Sequence, residues 1–210
     1  MRRCAIYTPL EELAAAFSAE IAEDLASRFR RSRDIGPPTP VLGIRLVDGR
    51  RILDAYRWGY IPHGARRPFT NTFDVHVERI DRPIYADAFV SRRLVFVADA
   101  FYLWQRRGRK YTGYTFRHVD ELPLALAGIW GDWRDPKSGE DVQSCAVITG
   151  PANADVKPIS DRMPLELARS EIDEWIDPDV HDREVLESML TPVLDGTYRR
   201  SRMRIPGNRL

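Results

Sequence analysis

The thiol of Cys4, in the opening stretch MRRCAIYTP, is the first group along the chain with nucleophilic potential. A cysteine attacks as its thiolate, so its surroundings decide whether it reacts or only fills space. A thiol–imidazole site would draw on His63, His76, His118 or His181, which are scattered with no cysteine or carboxylate at ligand spacing. Cys4 and Cys145 make neither a disulfide framework nor a metal-ligand pattern. GxxxxGKS/T, GxGxxG after a strand, HExxH and GxSxG are all absent, so no metal and no cofactor is expected. A Ser-His-Asp triad assembles only in space, and nothing along the chain argues for one.

Three other segments are specialised. WGYIP sets Trp58 and Tyr60 around Gly59, ahead of a loop with Arg66, Arg67 and Asn71. DAFYLW packs three aromatics into four positions, and ITGPANADVKPISDRMPLEL makes a long polar excursion ending in Asp161-Arg162. Aromatic faces beside arginines suit single-stranded nucleic acid, because bases stack and guanidinium groups hold phosphates. Large aromatics also fill cores, and on these residues alone the core role stands first.

Those segments need a scaffold. TPLEELAAAFSAEIAEDLASRFRR reads as one helix, with Thr8 as N-cap, Pro9 at the first position and Glu11 closing a capping box. Leu10, Leu13, Phe17, Ile21, Leu25 and Phe29 give it one apolar face. RDIGPPTP then breaks the helix. VLGIRLV and RRILDAYRW flank Asp48-Gly49, a hairpin signal. RLVFVA, FYLWQ, KYTGYTF, LPLALAGIW and SCAVIT add strands, with a turn over Arg106 to Arg109. Helices return at SEIDEWI and DREVLESML, each behind a polar cap, and YRRSRMRI reads as a last basic strand. The expected fold is α+β, one domain over 1–210, built on a mostly antiparallel β sheet or barrel with flanking helices.

Bulk composition narrows the function. The 210 residues carry a net charge of +1, so no overall field draws the chain to nucleic acid or to an anionic membrane. Of 32 basic residues only Lys110, Lys137 and Lys157 are lysines. Genome composition accounts for that bias, although the guanidinium fork also suits phosphate oxygens. Arginine pairs at 2–3, 66–67, 92–93, 106–107 and 199–200 would make a basic stripe if they shared a face. The two cysteines suit a reducing compartment, and neither a signal peptide nor a membrane-spanning run is visible. A cytoplasmic location is expected.

Taken together, the order and spacing of these segments resemble the SRAP family, the SOS-response-associated abasic-site processing proteins. The family's MCGR start, WG-x-x-P segment, N-A-R-x-E loop, GFYEW strand, AGLW strand and H-D-R-M-P turn have counterparts here. They are MRRCAIY, WGYIP at 58–62, NTFDV at 71–75, AFYLW at 100–104, AGIW at 127–130 and SDRMP at 160–164. The match spans nearly the whole chain, and VADAFYLW with SDRMP in that order is its specific part. The resemblance implies a protein acting on abasic sites in single-stranded DNA, in a family also classed as peptidases. In that family a cysteine left first by methionine removal condenses its α-amine with the sugar aldehyde, and its thiol closes a thiazolidine.

This chain departs from that pattern at most reactive positions. The GFYEW glutamate falls on Leu103 and the histidine before DRMP on Ser160, neither of which is a base at neutral pH. The arginine and glutamate of the N-A-R-x-E loop fall on Phe73 and Val75. Asn71 survives from the implied active-site set, and Arg3, Trp58, Gly59 and Arg162 from the positions that contact DNA or shape the pocket. The register places Met1, not Cys4, at the reactive cysteine, and Arg2 disfavours removal of Met1. Cys4 is therefore expected as a buried residue at a strand start. The Met1 α-amine is left for a Schiff base, since an unperturbed α-amine titrates at about 7.7–8.0. Three functions follow as expectations: binding of single-stranded or damaged DNA without the cross-link chemistry, residual amine chemistry, or an interaction module that kept only the fold.

Overall fold

The computed structural model describes residues 1–68 and 72–203. Its elements run β1 (Arg3–Ile6), α1 (Leu10–Phe17), β2 (Glu20–Ile21), α2 (Leu25–Arg28), β3 (Ser32–Ile35), β4 (Pro40–Val47) and β5 (Arg50–Trp58). Then come β6 (Asp74–His76), α3 (Ala86–Ser91), β7 (Arg93–Ala98), β8 (Ala100–Arg107), β9 (Lys110–His118), β10 (Leu124–Arg134) and β11 (Asp141–Pro151). The chain finishes with β12 (Arg162–Pro164), α4 (Ile172–Ile176), α5 (Arg183–Ser188) and β13 (Tyr198–Arg202).

Five strands close into a barrel. β11 pairs β10, β10 pairs β7, β7 pairs β4 and β4 pairs β5, all antiparallel, with Asp48 and Gly49 turning the last pair at positive φ. Four antiparallel steps leave the first and last strands running the same way, so the closing pair has to be parallel. It is: Arg57 and Trp58 of β5 pair with Ser144 and Cys145 of β11. Trp58 and Phe96 meet edge to face, their ring centroids 5.3 Å apart. The mostly antiparallel α+β architecture expected from the sequence is the one observed.

A second sheet, in the order β13-β9-β8-β1-β3, lays its inner face on the same core. Phe101 stacks on Phe116 at 5.0 Å and meets Tyr198 edge-on, while Cys4 and Ile35 pair fully inside. The basic tail does form a strand, β13, along β9. The two sheets join at Asp99, between β7 and β8. Its carboxylate accepts hydrogen bonds from the Tyr7 and Thr8 amides and from the Thr8 hydroxyl, which fixes the end of β1 against the barrel.

That contact corrects the long helix expected over 8–31. Thr8 gives its hydroxyl to Asp99, Pro9 takes the cap position with no side-chain bond, and α1 ends at Ser18 in the left-handed region. Two residues later Glu20 and Ile21 pair with β5 in parallel, leaving Ile21 exposed, and α2 is a single short turn. Pairing to a sheet edge outweighs helix continuation here, because it satisfies backbone groups that the helix would have used. Ser32–Ile35, which overlaps the start of the expected breaker, becomes β3. At the other end the helical signal holds, with Asp182 accepting from the Glu184 and Val185 amides at the start of α5.

Asp99 is buried and serves three donors at once. Asp99→Ala strands two backbone amides in the interior and is expected to destabilise the protein by about 1–3 kcal/mol. Urea unfolding followed by tryptophan fluorescence reads that shift.

Candidate functional site

The parallel closure of the barrel carries the chain directly into the site. Beyond Trp58, Gly59 adopts φ 126°, a conformation open to glycine, and its amide donates to the Cys145 carbonyl. Tyr60 N–H reaches the Thr72 carbonyl, and the fully buried Trp58 donates its indole N–H to the Phe73 carbonyl at 2.8 Å. Residues 72–73 are thereby tied to the barrel wall. β6 follows, running parallel to β11 with Asp74, Val75 and His76 opposite Val147, Ile148 and Thr149.

β6 delivers Asp74 to the amino terminus. The Met1 α-amine donates to Asp74 Oδ2 at 2.6 Å, and the Met1 side chain lies in the core with no exposure. Arg2 turns the other way, its guanidinium 5.1 Å above the centre of the Phe73 ring. Beside Arg2 and Phe73 opens a cavity of about 270 Å³, lined also by Arg3, Gly36 and Pro37.

Further along the chain from Asp74, around His76 and Glu78, stands a charged cluster. Arg162 donates to both oxygens of Glu78, at 2.9 and 2.8 Å, and to the Thr149 carbonyl at 2.6 Å. Its Nε is buried without a hydrogen-bond partner among the described residues. The guanidinium holds the Glu78 carboxyl below its ordinary value. Burial, then the positive charge of Arg162, pushes the His76 imidazole below its usual 6.5, against the pull of Asp74.

The residues singled out in the sequence take these places in the fold. Trp58 offers no open ring face; it anchors Phe73. Arg162, partly exposed, is held by Glu78 and the Thr149 carbonyl. Arg3 points to the opposite side of β1 from Cys4, where it pairs with Asp34. Leu103 is half-buried against the core, and Ser160 closes a tight turn, its hydroxyl donating to the Arg162 carbonyl and accepting from the Arg162 amide. Asn71 lies outside the described residues. Cys4 is fully buried, and burial drives its thiol well above the ordinary range, which leaves it inert as a nucleophile. Arg93, from one of the arginine pairs, is buried as well, donating to the Trp175 carbonyl, so the pairs do not all join one stripe. Asp74 and Glu78 went unread because carboxylates are common at surfaces and only the fold sets these two beside an amine and a guanidinium.

Comparison with known proteins adds a lineage to this geometry. The family model described as SOS response associated peptidase (SRAP) matches residues 2–203. Abasic site processing protein YoaM of Bacillus subtilis is 29% identical over 168 residues, covering 78% of this chain and 74% of its own length. Abasic site processing protein HMCES of Gallus gallus is 30% identical over 195 residues, covering 76% of this chain and 58% of its own. A crystal structure of a protein from Bacteroides thetaiotaomicron superposes with a TM-score of 0.88 at 19% identity, covering 97% of this chain and 92% of that one.

The lowered His76 value has a measurable sign. A histidine that resists protonation when folded binds fewer protons than it does unfolded, so stability declines as pH falls below 6.5. His76→Gln is expected to flatten that part of the melting-temperature profile, and the His76 ring resonances should titrate below 6.5 by NMR.

Proposed function

The chain belongs to the SRAP family, and from that footing we propose that it binds abasic sites in single-stranded DNA at the cleft beside its amino terminus, without forming the thiazolidine. The observation that carries the reading is Arg2 poised over Phe73 at the mouth of the 270 Å³ cavity. Phe73 occupies the place where the family's loop carries an arginine, and Arg2 puts a guanidinium back over that position from the other strand. Among the described residues Arg2 has no carboxylate within ion-pair distance, which leaves its fork available to a phosphate. An aromatic face and an arginine beside a cavity of this size suit an unstacked sugar–phosphate with a neighbouring base.

The side chains support a reading without the cross-link. A thiazolidine needs a thiol and a free amine on one residue, and here the amine belongs to methionine. The one nearby thiol, Cys4, is buried and carries its nitrogen in a peptide bond. Leu103 and Ser160 supply no proton transfer.

A second reading draws on the contact between Met1 and Asp74. An amine attacks an aldehyde only after giving up a proton, and Asp74 Oδ2 is an acceptor 2.6 Å away. Attack on the sugar aldehyde gives a carbinolamine, which loses water to leave an imine. With no thiol to trap it, that imine returns to amine and aldehyde as water adds back.

Fluorescence anisotropy with a single-stranded oligonucleotide carrying one abasic site, against its undamaged counterpart, tests the binding. Arg2→Glu is expected to weaken binding about tenfold, the loss of one phosphate contact. Intact mass after incubation should show no adduct. An adduct that needs borohydride, and that Asp74→Asn suppresses, would establish the second reading. One that forms without reductant would overturn both.

A further inference from the structure

The solvent face of the five-stranded sheet runs outward from the rim of the cleft, with Arg3 at the boundary between the two. In β8, Leu103 turns toward the core while Tyr102, Trp104 and Arg106 turn outward. Strand pairing sets Thr115, Gly113 and Tyr111 opposite those three, and Arg199 and Ser201 of β13 opposite Arg117 and Thr115. From β1 come Arg3 and Ala5, and beside them Tyr7 and Arg33.

Aromatic rings and guanidinium groups alternate across this face. Arg33 and Arg117 lie over the Tyr7 ring at 4.1 and 5.7 Å, and Arg106 over Tyr111 at 5.8 Å. The Tyr102 hydroxyl donates to the Arg33 carbonyl and fixes that end. Gly113 explains the posture of Trp104: a Cβ there would stand 3.1 Å from the indole Nε1 and 2.7 Å from the Met203 sulfur. The glycine thus leaves room for both the indole and the Met203 side chain over the strand, and Trp104 stays 36% exposed. Of the five tryptophans Trp104 alone is exposed, and Tyr111 is 62% exposed.

The charge on the face is mostly uncompensated. Asp34 pairs with Arg3, and Glu121 stands 3.6 Å from Arg199 at the far edge. Among the described residues Arg33, Arg106 and Arg117 have no carboxylate within 4.0 Å. The hairpin tip adds Arg107, Arg109 and Lys110, all exposed. A chain with a net charge of +1 has gathered cations here.

We infer that this outer face is a second, sequence-independent binding surface for single-stranded DNA, with bases stacking on Trp104 and Tyr111 and phosphates held by Arg106, Arg117 and Arg33. Open π-faces spaced among arginines match the alternation of base and phosphate along a single strand, whereas a duplex hides its base faces in the stack. The preference for DNA over RNA rests on the reading of the cleft. The surface itself rests on separate residues.

The test is anisotropy titration with undamaged oligothymidylate, for wild type, Trp104→Ala, Tyr111→Ala and the double variant Arg106→Ala/Arg117→Ala. Each aromatic variant is expected to lose about tenfold in affinity, the worth of one stacked base. The double arginine variant should lower the log–log salt slope by about 1.4, or about 0.7 per phosphate contact on a single strand. Circular dichroism melts report folding, and these exposed positions leave the core intact. The ratio of abasic to undamaged affinity should stay at its wild-type value in all three. Were the cleft reading wrong, wild type would show no abasic preference, yet these variants would still weaken oligothymidylate. Affinities within twofold of wild type for both Trp104→Ala and Arg106→Ala/Arg117→Ala would overturn the outer surface, as would tighter binding of duplex than of single strand.

Discussion

The two-residue parallel contact between β5 and β11 is the constraint on which the site depends. An antiparallel meander of five strands cannot close on itself without one parallel step, and a parallel step leaves the chain pointing onward instead of back. Here it points from Trp58 through Gly59 toward β6, which continues alongside β11 in the same direction. The buried indole fastens the segment by its carbonyl at Phe73. Loosening that bond would let Asp74 drift from the terminal amine and Phe73 from Arg2.

The electrostatics of the cleft differ from what a list of cations suggests. Arg162 is neutralised by Glu78 and a backbone carbonyl, the terminal amine by Asp74, and Arg3 by Asp34 on the other side of its strand. Each of these cations has a carboxylate partner in the protein, so each positions a neighbour more than it attracts a ligand. Arg2 is different: its contact is an aromatic ring, which orients a guanidinium without consuming its hydrogen-bond donors. Position, more than number, decides which arginine meets solvent as a free fork.

The five-stranded sheet divides its labour by strand parity. Inward positions such as Cys4, Phe101, Phe116 and Tyr198 complete the core, and outward ones carry tyrosine, tryptophan and arginine. The same dipeptide Leu103-Trp104 contributes to both sides, because successive side chains on a strand point opposite ways. A substitution at Leu103 therefore need not alter the neighbouring ring outside.

Much of this was legible along the chain. Alternating β-branched and aromatic runs identified the barrel strands, Asp48-Gly49 identified their tightest turn, and the order of WGYIP, AFYLW and SDRMP identified the family. Those signals are local, or are sums of local signals, and short-range propensity and turn chemistry suffice to produce them. The residues from Thr8 to Arg31 misled for the opposite reason. Their helical period is genuine, but Asp99, about ninety residues away, takes the cap, and the edge of β5 takes Glu20 and Ile21. The closure of the barrel, the pairing of Arg162 with Glu78 and the meeting of Met1 with Asp74 were likewise decided only by the tertiary structure. Each depends on groups dozens of residues apart, whose encounter is set by strand order and register, and neither quantity is written in any one segment.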